Sequence, residues 1–239
     1  MTQRYKIADV IFQADYIYTL TNQLLKKYEY SGEDLPELII VNSQEDLQKE
    51  FQNYPDSPPA LVENICIFRK FCEYVLERAN GLIFHASALA VDGKAYLFTA
   101  PSGTGKSTHA KLWQELLGEK VVIVNDDKPL IRLVDGDFYV YGSPWNGKHG
   151  LDTDCKVKIG GICQLVRGKT NKIIALQPSQ ILPIILGQTL RPKSQETMDK
   201  LLVLVEQLLK SVPSYKLECN MNIDAAMLSY KTMSRGGNK

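Results

Sequence analysis

Over the first sixty residues the hydrophobic positions come in short runs. The segments "YKIADVIFQA" and "YIYTL" have strand character with a short turn between them, and "ELIIV" reads as a brief buried strand. "NSQEDLQKEF" is predicted to be a short helix, capped by Asn42 or Ser43 and carrying acidic residues in its first turn. The three prolines of "YPDSPPALVE" mark a joint. Beyond it the spacing becomes helical. Leu61, Ile65, Phe68, Phe71, Cys72, Val75 and Leu76 form one stripe, predicted to pack on a main sheet, and Gly81 ends the helix.

From residue 82 the period changes again. "LIFHASALAVDGKAYLFTA" is two apolar runs split by Asp92-Gly93, a pair suited to a tight hairpin turn. "VVIV" reads as a strand, "PLIRLV" and "FYVYG" flank a second Asp-Gly, and "GGICQLVRG" with "KIIALQ" suggests another strand pair. Helices follow over "SQILPIILGQ" and over Gln195 to Lys210, then a last strand at "SYKLEC" and a helix from Ile223. Strand-loop-helix and hairpins together predict an α/β fold with mixed, largely antiparallel strands. The expected organisation is a small α+β region over 1–60, a main domain over 61–233 and a mobile tail over 234–239.

Composition narrows the function classes. The 239 residues are 44% hydrophobic, enough for a sizeable core. Lys+Arg 28 against Asp+Glu 27 leaves no bulk field to recruit nucleic acid or an anionic membrane, so neither is an expected partner. Five cysteines without a CxxC pair suit free thiols in a reducing compartment. No run approaches the roughly 18 apolar residues of a membrane span, and the N-terminus lacks a signal-peptide core. The expected location is the cytoplasm.

Chemistry concentrates where "YLFTA" breaks into "PSGTGKST". Residues 100–107 follow the phosphate-loop pattern, with Ala100 at the usual first glycine. Gly103 and Gly105 allow backbone N–H groups to turn inward, and the helix beginning near Lys106 adds its positive end. Ser102, Gly103, Thr104, Gly105, Lys106, Ser107 and Thr108 are the expected cofactor-binding residues. Lys106 is placed to reach the β and γ phosphates, and the Ser107 hydroxyl to reach Mg²⁺. A glycine-rich turn with a solvated lysine is the bland alternative. The strand before the loop and the amphipathic "THAKLWQELLG" after it favour the phosphate loop.

Asp126-Asp127 follows "VVIV", at the carboxyl end of a strand, where one carboxylate can hold Mg²⁺ and the other accept a proton. A solvated turn is the alternative reading. His85, after "GLIF", fits by pattern a packed, hydrogen-bonded residue better than a catalytic one. "GSPWNGKHG" is too polar and broken for a core element. Lys148 there is a candidate to neutralise a moving phosphoryl group, and Trp145 is either an apolar wall or a packing plug. Arg167, Arg191 and Lys193 are further cations near element ends.

Together, "HASALAVDGKAYLFTAPSGTGKSTHAKLW" and "VIVNDDKPLIR" resemble the catalytic domain of HPr kinase/phosphorylase, a relative of the phosphoenolpyruvate carboxykinases. The resemblance covers residues 82–135 and implies that fold, with ATP and Mg²⁺ as cofactors. It implies Asp127 as the base that deprotonates an acceptor hydroxyl, Asp126 as the metal support beside Ser107, and His85 as the group that tunes the aspartates. "LRPKS" resembles the position of a mobile basic loop in that family, whose members are hexamers, so a homo-oligomer stays open. The family's glycine-rich substrate segment is replaced here by residues 141–158. The expected activity is transfer of the γ-phosphoryl group of ATP to a Ser or Thr of a small protein or peptide. A nucleotide-binding sensor or assembly module without such transfer, and a small-molecule kinase, remain as alternatives.

Overall fold

The computed structural model describes residues 1–236. Its contacts divide the chain into two compact units that meet at Ala79/Asn80.

In the first unit, β1 (Thr2–Ile7) and β2 (Val10–Asp15) form an antiparallel hairpin, and β3 (Leu38–Ile40) joins β2 in parallel. The turn lies at Ala8-Asp9, both with positive φ, so both strands of the hairpin come from "TQRYKIADVIFQAD". "YIYTL", expected as the second strand, instead leads into α1 (Thr19–Leu25). A buried carboxylate explains the change. Glu63 accepts from the amides of Ile17 (2.6 Å) and Tyr18 (3.2 Å) and from Thr21 Oγ1 (2.5 Å), so it caps a helix that has no cap of its own.

The helix α2 (Gln44–Asn53) starts at Ser43 with a reciprocal Ser43–Asp46 capping box. Pro59 is the first residue of α3 (Pro59–Arg78), where a missing N–H costs nothing. The proline segment therefore begins a helix of the first unit, and the division falls at 79/80 instead of 60/61. α3 packs on α1, α2 and β3. Its stripe is partly rotated from the expected one. Phe71, Cys72, Val75 and Leu76 are buried, whereas Leu61 is exposed and Val62 and Ile67 take the inner positions.

The second unit holds a nine-stranded mixed sheet. Its strands are β4 (Gly81–Ile83), β5 (Ala86–Val91), β6 (Lys94–Thr99), β7 (Val122–Asn125), β8 (Leu130–Val134), β9 (Asp137–Tyr141), β10 (Lys156–Arg167), β11 (Lys172–Leu176) and β12 (Ser214–Cys219). The order runs β4-β8-β9-β10-β6-β5-β7. β10 is long enough to serve two partners on one edge: Lys156–Lys158 pair with β9, and Ile162–Arg167 pair in parallel with β12. β6 is also parallel to β10; the remaining pairings are antiparallel. Consecutive β10 and β11 do not pair as the sequence suggested. β12 inserts between them, a long-range choice that local pattern does not encode.

The helices are α4 (Lys106–Leu117), α5 (Pro178–Gly187), α6 (Gln195–Ser211) and α7 (Ile223–Gly236). α4 packs against α7. Between them Trp113 is fully buried and donates from Nε1 to Ser229 Oγ (2.9 Å), with His109 alongside; burial pulls the His109 pKa down to about 4. Apolar contacts to Phe98 and Tyr96 tie this helix to β6. Ser234 to Gly236, expected in a mobile tail, belong to α7, and residues 237–239 of that expectation lie outside the described residues. Among the described residues no helix is long and apolar enough to cross a membrane.

Candidate active site

Strand order decides where the chemistry sits. β5 is antiparallel to both β6 and β7, so the carboxyl ends of β6 and β7 meet the amino end of β5 at one sheet edge. Thr99 runs from β6 into the glycine loop, Asn125 ends β7 before Asp126-Asp127, and His85 stands just ahead of β5. Hydrogen bonds to main-chain carbonyls tie the three together. Ala86 N donates to Asp127 O (3.1 Å), Ser87 Oγ to Asp126 O (3.2 Å), and Thr99 Oγ1 to His85 O (3.0 Å).

Gly103 and Gly105 have φ of 76° and 124°, in the region that favours glycine. Gly105 precedes α4 without a side-chain cap, so the first-turn N–H groups of α4 have no intrahelical acceptor and suit an anion. Lys106 is 8% exposed, and its Nζ donates to Ala100 O (3.1 Å). Burial draws its pKa below the ordinary lysine value, opposed by the Asp127 charge. Arg167, at the end of β10, donates to the carbonyls of Gly103 and Thr104 and braces the loop from outside.

The two aspartates differ. Asp127 is pushed up by burial, but hydrogen bonds from His85 and Lys128 outweigh this and hold it well below the usual carboxylate range. Its Oδ1 lies 3.1 Å from His85 Nε2, and its Oδ2 pairs with Lys128 Nζ. His85 Nδ1 in turn lies 2.7 Å from Gln188 Oε1, so the ring is held between the aspartate and the glutamine. Asp126 is raised by burial, against a 2.5 Å hydrogen bond from Gly147 N.

A cleft of about 410 Å³ collects nearly every site residue expected from sequence: His85, Ser102, Gly103, Gly105, Lys106, Ser107, Thr108, Asp126, Asp127 and Lys148. Gly147 and His149 complete its lining. Thr104 lines a second cleft of about 520 Å³ across the loop, toward the ends of β10 and β12, which shares Gly103, Gly105 and Thr108. Trp145 is 8% exposed and belongs to neither lining, which fits the packing plug. Arg191 and Lys193 are solvated and line neither cleft. Sequence reasoning missed Lys128, His149, Gln188 and the brace role of Arg167. Lys128 and His149 stood next to residues already singled out; Gln188 is 103 positions from His85 and carried no local signal.

Among the described residues no group of three or more His, Cys, Asp or Glu forms a metal cage. The cleft does offer hard oxygen donors, the Ser107 hydroxyl and the Asp126 carboxylate. Mg²⁺ is commonly held by one or two protein oxygens completed by phosphate oxygens and water, so this donor set fits Mg²⁺ arriving with a phosphate ligand.

No family model matches the chain, and no curated protein does. Among solved structures, the Hpr(Ser) kinase/phosphatase from Coxiella burnetii is similar to 64% of this chain, over 93% of its own, with 13% identity and a TM-score of 0.36. A likeness that weak shows neither a family nor an activity.

Proposed function

We propose that this chain is an ATP-dependent phosphotransferase that moves the γ-phosphoryl group to a hydroxyl, a Ser or Thr of a small protein or peptide. One observation carries the reading: an anion-suited glycine loop with its lysine, and an ionised aspartate held by a histidine, line the same cleft. The phosphates rest on residues 102–108, with Lys106 swinging from Ala100 O to the β and γ oxygens. The 520 Å³ cleft takes the nucleoside. Ser107 and Asp126 hold Mg²⁺, which offsets phosphate charge when bound.

Asp127 accepts the proton of the acceptor O–H. That oxygen bonds to the γ-phosphorus as the P–O bond to the β-phosphate breaks, and the electron pair leaves with ADP. The transition state is loose, so orientation and charge matter more than a strong base, which suits a carboxylate held ionised by His85 and Lys128. Lys148, exposed at the cleft wall, neutralises charge on the moving group. A second reading, a nucleotide-binding module without transfer, draws support from the same low basicity of Asp127.

The test is γ-labelled ATP with Mg²⁺ against a small-protein and peptide fraction of the host, run beside Lys106→Ala. A labelled acceptor with wild type and none with the variant supports transfer. Tight nucleotide binding with no labelled acceptor favours the binding module.

A further inference from the structure

The segment between β9 and β10 is clamped onto the aspartate turn. Gly142 N donates to Cys155 O (3.2 Å) and closes its neck. A side chain at Gly142 would place Cβ 1.8 Å from Thr153 O, so the neck admits none. Thr153 N reaches Val124 O (3.1 Å), Asp126 N reaches Leu151 O (3.1 Å), and Gly147 N reaches Asp126 Oδ1 (2.5 Å). At Gly147 a Cβ would sit 3.2 Å from both Asp126 carboxylate oxygens, tight enough that aspartate or loop must shift. Lys148 and His149 are carried at the tip, on the wall of the cleft.

Asn125 is the side chain at the centre of this clamp, and it is fully buried. Its Oδ1 accepts from the amides of Asp127 (2.9 Å) and Lys128 (2.7 Å). Its Nδ2 donates to Ser143 O (3.0 Å) and Ser143 Oγ (3.1 Å), and Ser143 Oγ returns a hydrogen bond to Lys128 O (3.0 Å). Only an amide of this size accepts on one side and donates on the other. Aspartate keeps the acceptors but turns an oxygen toward the Ser143 carbonyl.

Resting on the phosphotransfer reading, we propose that Asn125 is a positioning residue. It joins the Asp126-Asp127 turn and the 142–155 loop into one unit, so that Asp127 on one side and Lys148 and His149 on the other face the transferring group at fixed separation. The residue touches no substrate and acts through Asp127 and Ser143. Misplacing such groups by about 1 Å costs on the order of 100-fold in rate, and the loss falls on kcat rather than on binding of metal-free nucleotide, because the phosphate loop has supports of its own in β6, α4 and Arg167.

The experiment compares wild type, Asn125→Asp, Ser143→Ala and the double variant by three readouts: kcat for labelled phosphoryl transfer or ATP hydrolysis, Kd for ADP without Mg²⁺, which does not call on Asp126, and amide hydrogen exchange over residues 142–155. The expected result for Asn125→Asp is faster exchange across the loop, kcat lower by about 100-fold and Kd within about threefold of wild type. Ser143→Ala, which still leaves Ser143 O as an acceptor, shifts exchange and kcat in the same direction by less. The double variant falls short of the product of the single effects, because both break one latch. Unchanged loop exchange in both single variants overturns the latch. So does a parallel loss of Kd, kcat and thermal stability, which marks a merely structural residue. If Asn125→Asp fails to fold, Ser143→Ala decides by the same readouts. If wild type binds nucleotide without any turnover, the phosphotransfer reading has failed and the positioning role with it, while the exchange data still decide whether the latch exists.

Discussion

Replacing Asp127 by Asn removes one charge and almost no volume, which makes it the sharpest probe of the cleft. The side chain is 23% exposed and pairs with His85 Nε2 at 3.1 Å and with Lys128. The single amide oxygen of asparagine accepts from one of these partners while its NH2 group faces the other donor, so one hydrogen bond goes with the charge. Partly solvated pairs contribute up to about 1 kcal/mol, which for a chain of this size lowers Tm by about 2–4 °C. Affinity for Mg²⁺-ATP should hold or improve, since a negative charge beside Lys106 disappears. The rate should fall by about 10²–10⁴-fold, the usual contribution of a positioned general base, or about 3–5 kcal/mol of barrier. Single-turnover transfer of labelled phosphate, with Kd measured separately by calorimetry, separates these effects. A variant that turns over within about threefold of wild type would show that Asp127 takes no proton. A variant that instead needs far more Mg²⁺ would make Asp127 the metal ligand; that behaviour belongs to Asp126→Asn, whose Mg²⁺ midpoint should rise about tenfold or more.

Two further outcomes follow from the surroundings. Arg167→Ala frees the carbonyls of Gly103 and Thr104 and should weaken Mg²⁺-ADP binding about fivefold, worth about 1 kcal/mol for an exposed guanidinium, with Arg167→Lys only partly restoring it; equal Kd values in calorimetry would dismiss the brace. In the first unit, the hydrogen bond from Lys70, helped by Ser43, holds Asp46 at about 2, below its ordinary value. Its stabilisation is therefore complete above about pH 4 and is lost as pH falls through about 2. Because both side chains are about a third exposed, the term stays within about 1 kcal/mol, and the gap between wild type and Asp46→Asn in denaturant melts should close over that window.

Local pattern by itself determined most of the strands and helices of the second unit. The apolar runs at 94–99 and 122–125, the Asp92-Gly93 turn and the amphipathic stretch from Lys106 are each set by residues within a few positions of one another. It also marked Ser102–Thr108 and Asp126-Asp127, because glycines before a lysine and carboxylates after a strand are local signatures, whereas His85 stood out only through the resemblance to a known family. Tertiary structure decided the rest. Glu63, 46 residues from Ile17, turned an apparent strand into the approach to a capped helix. β12 slipped between β10 and β11 because strand pairing rewards the whole sheet rather than the nearest neighbour. Antiparallel placement of β5 between β6 and β7 brought His85, the glycine loop and the aspartates to one edge. Burial pushes both Asp126 and Asp127 up, adjacent and identical as they are in sequence, and they part because hydrogen bonds from His85 and Lys128 outweigh it at Asp127 while the bond from Gly147 does not at Asp126. A carboxylate's charge state depends on which donors the fold brings within about 3 Å, and that proximity exists only after the chain has closed.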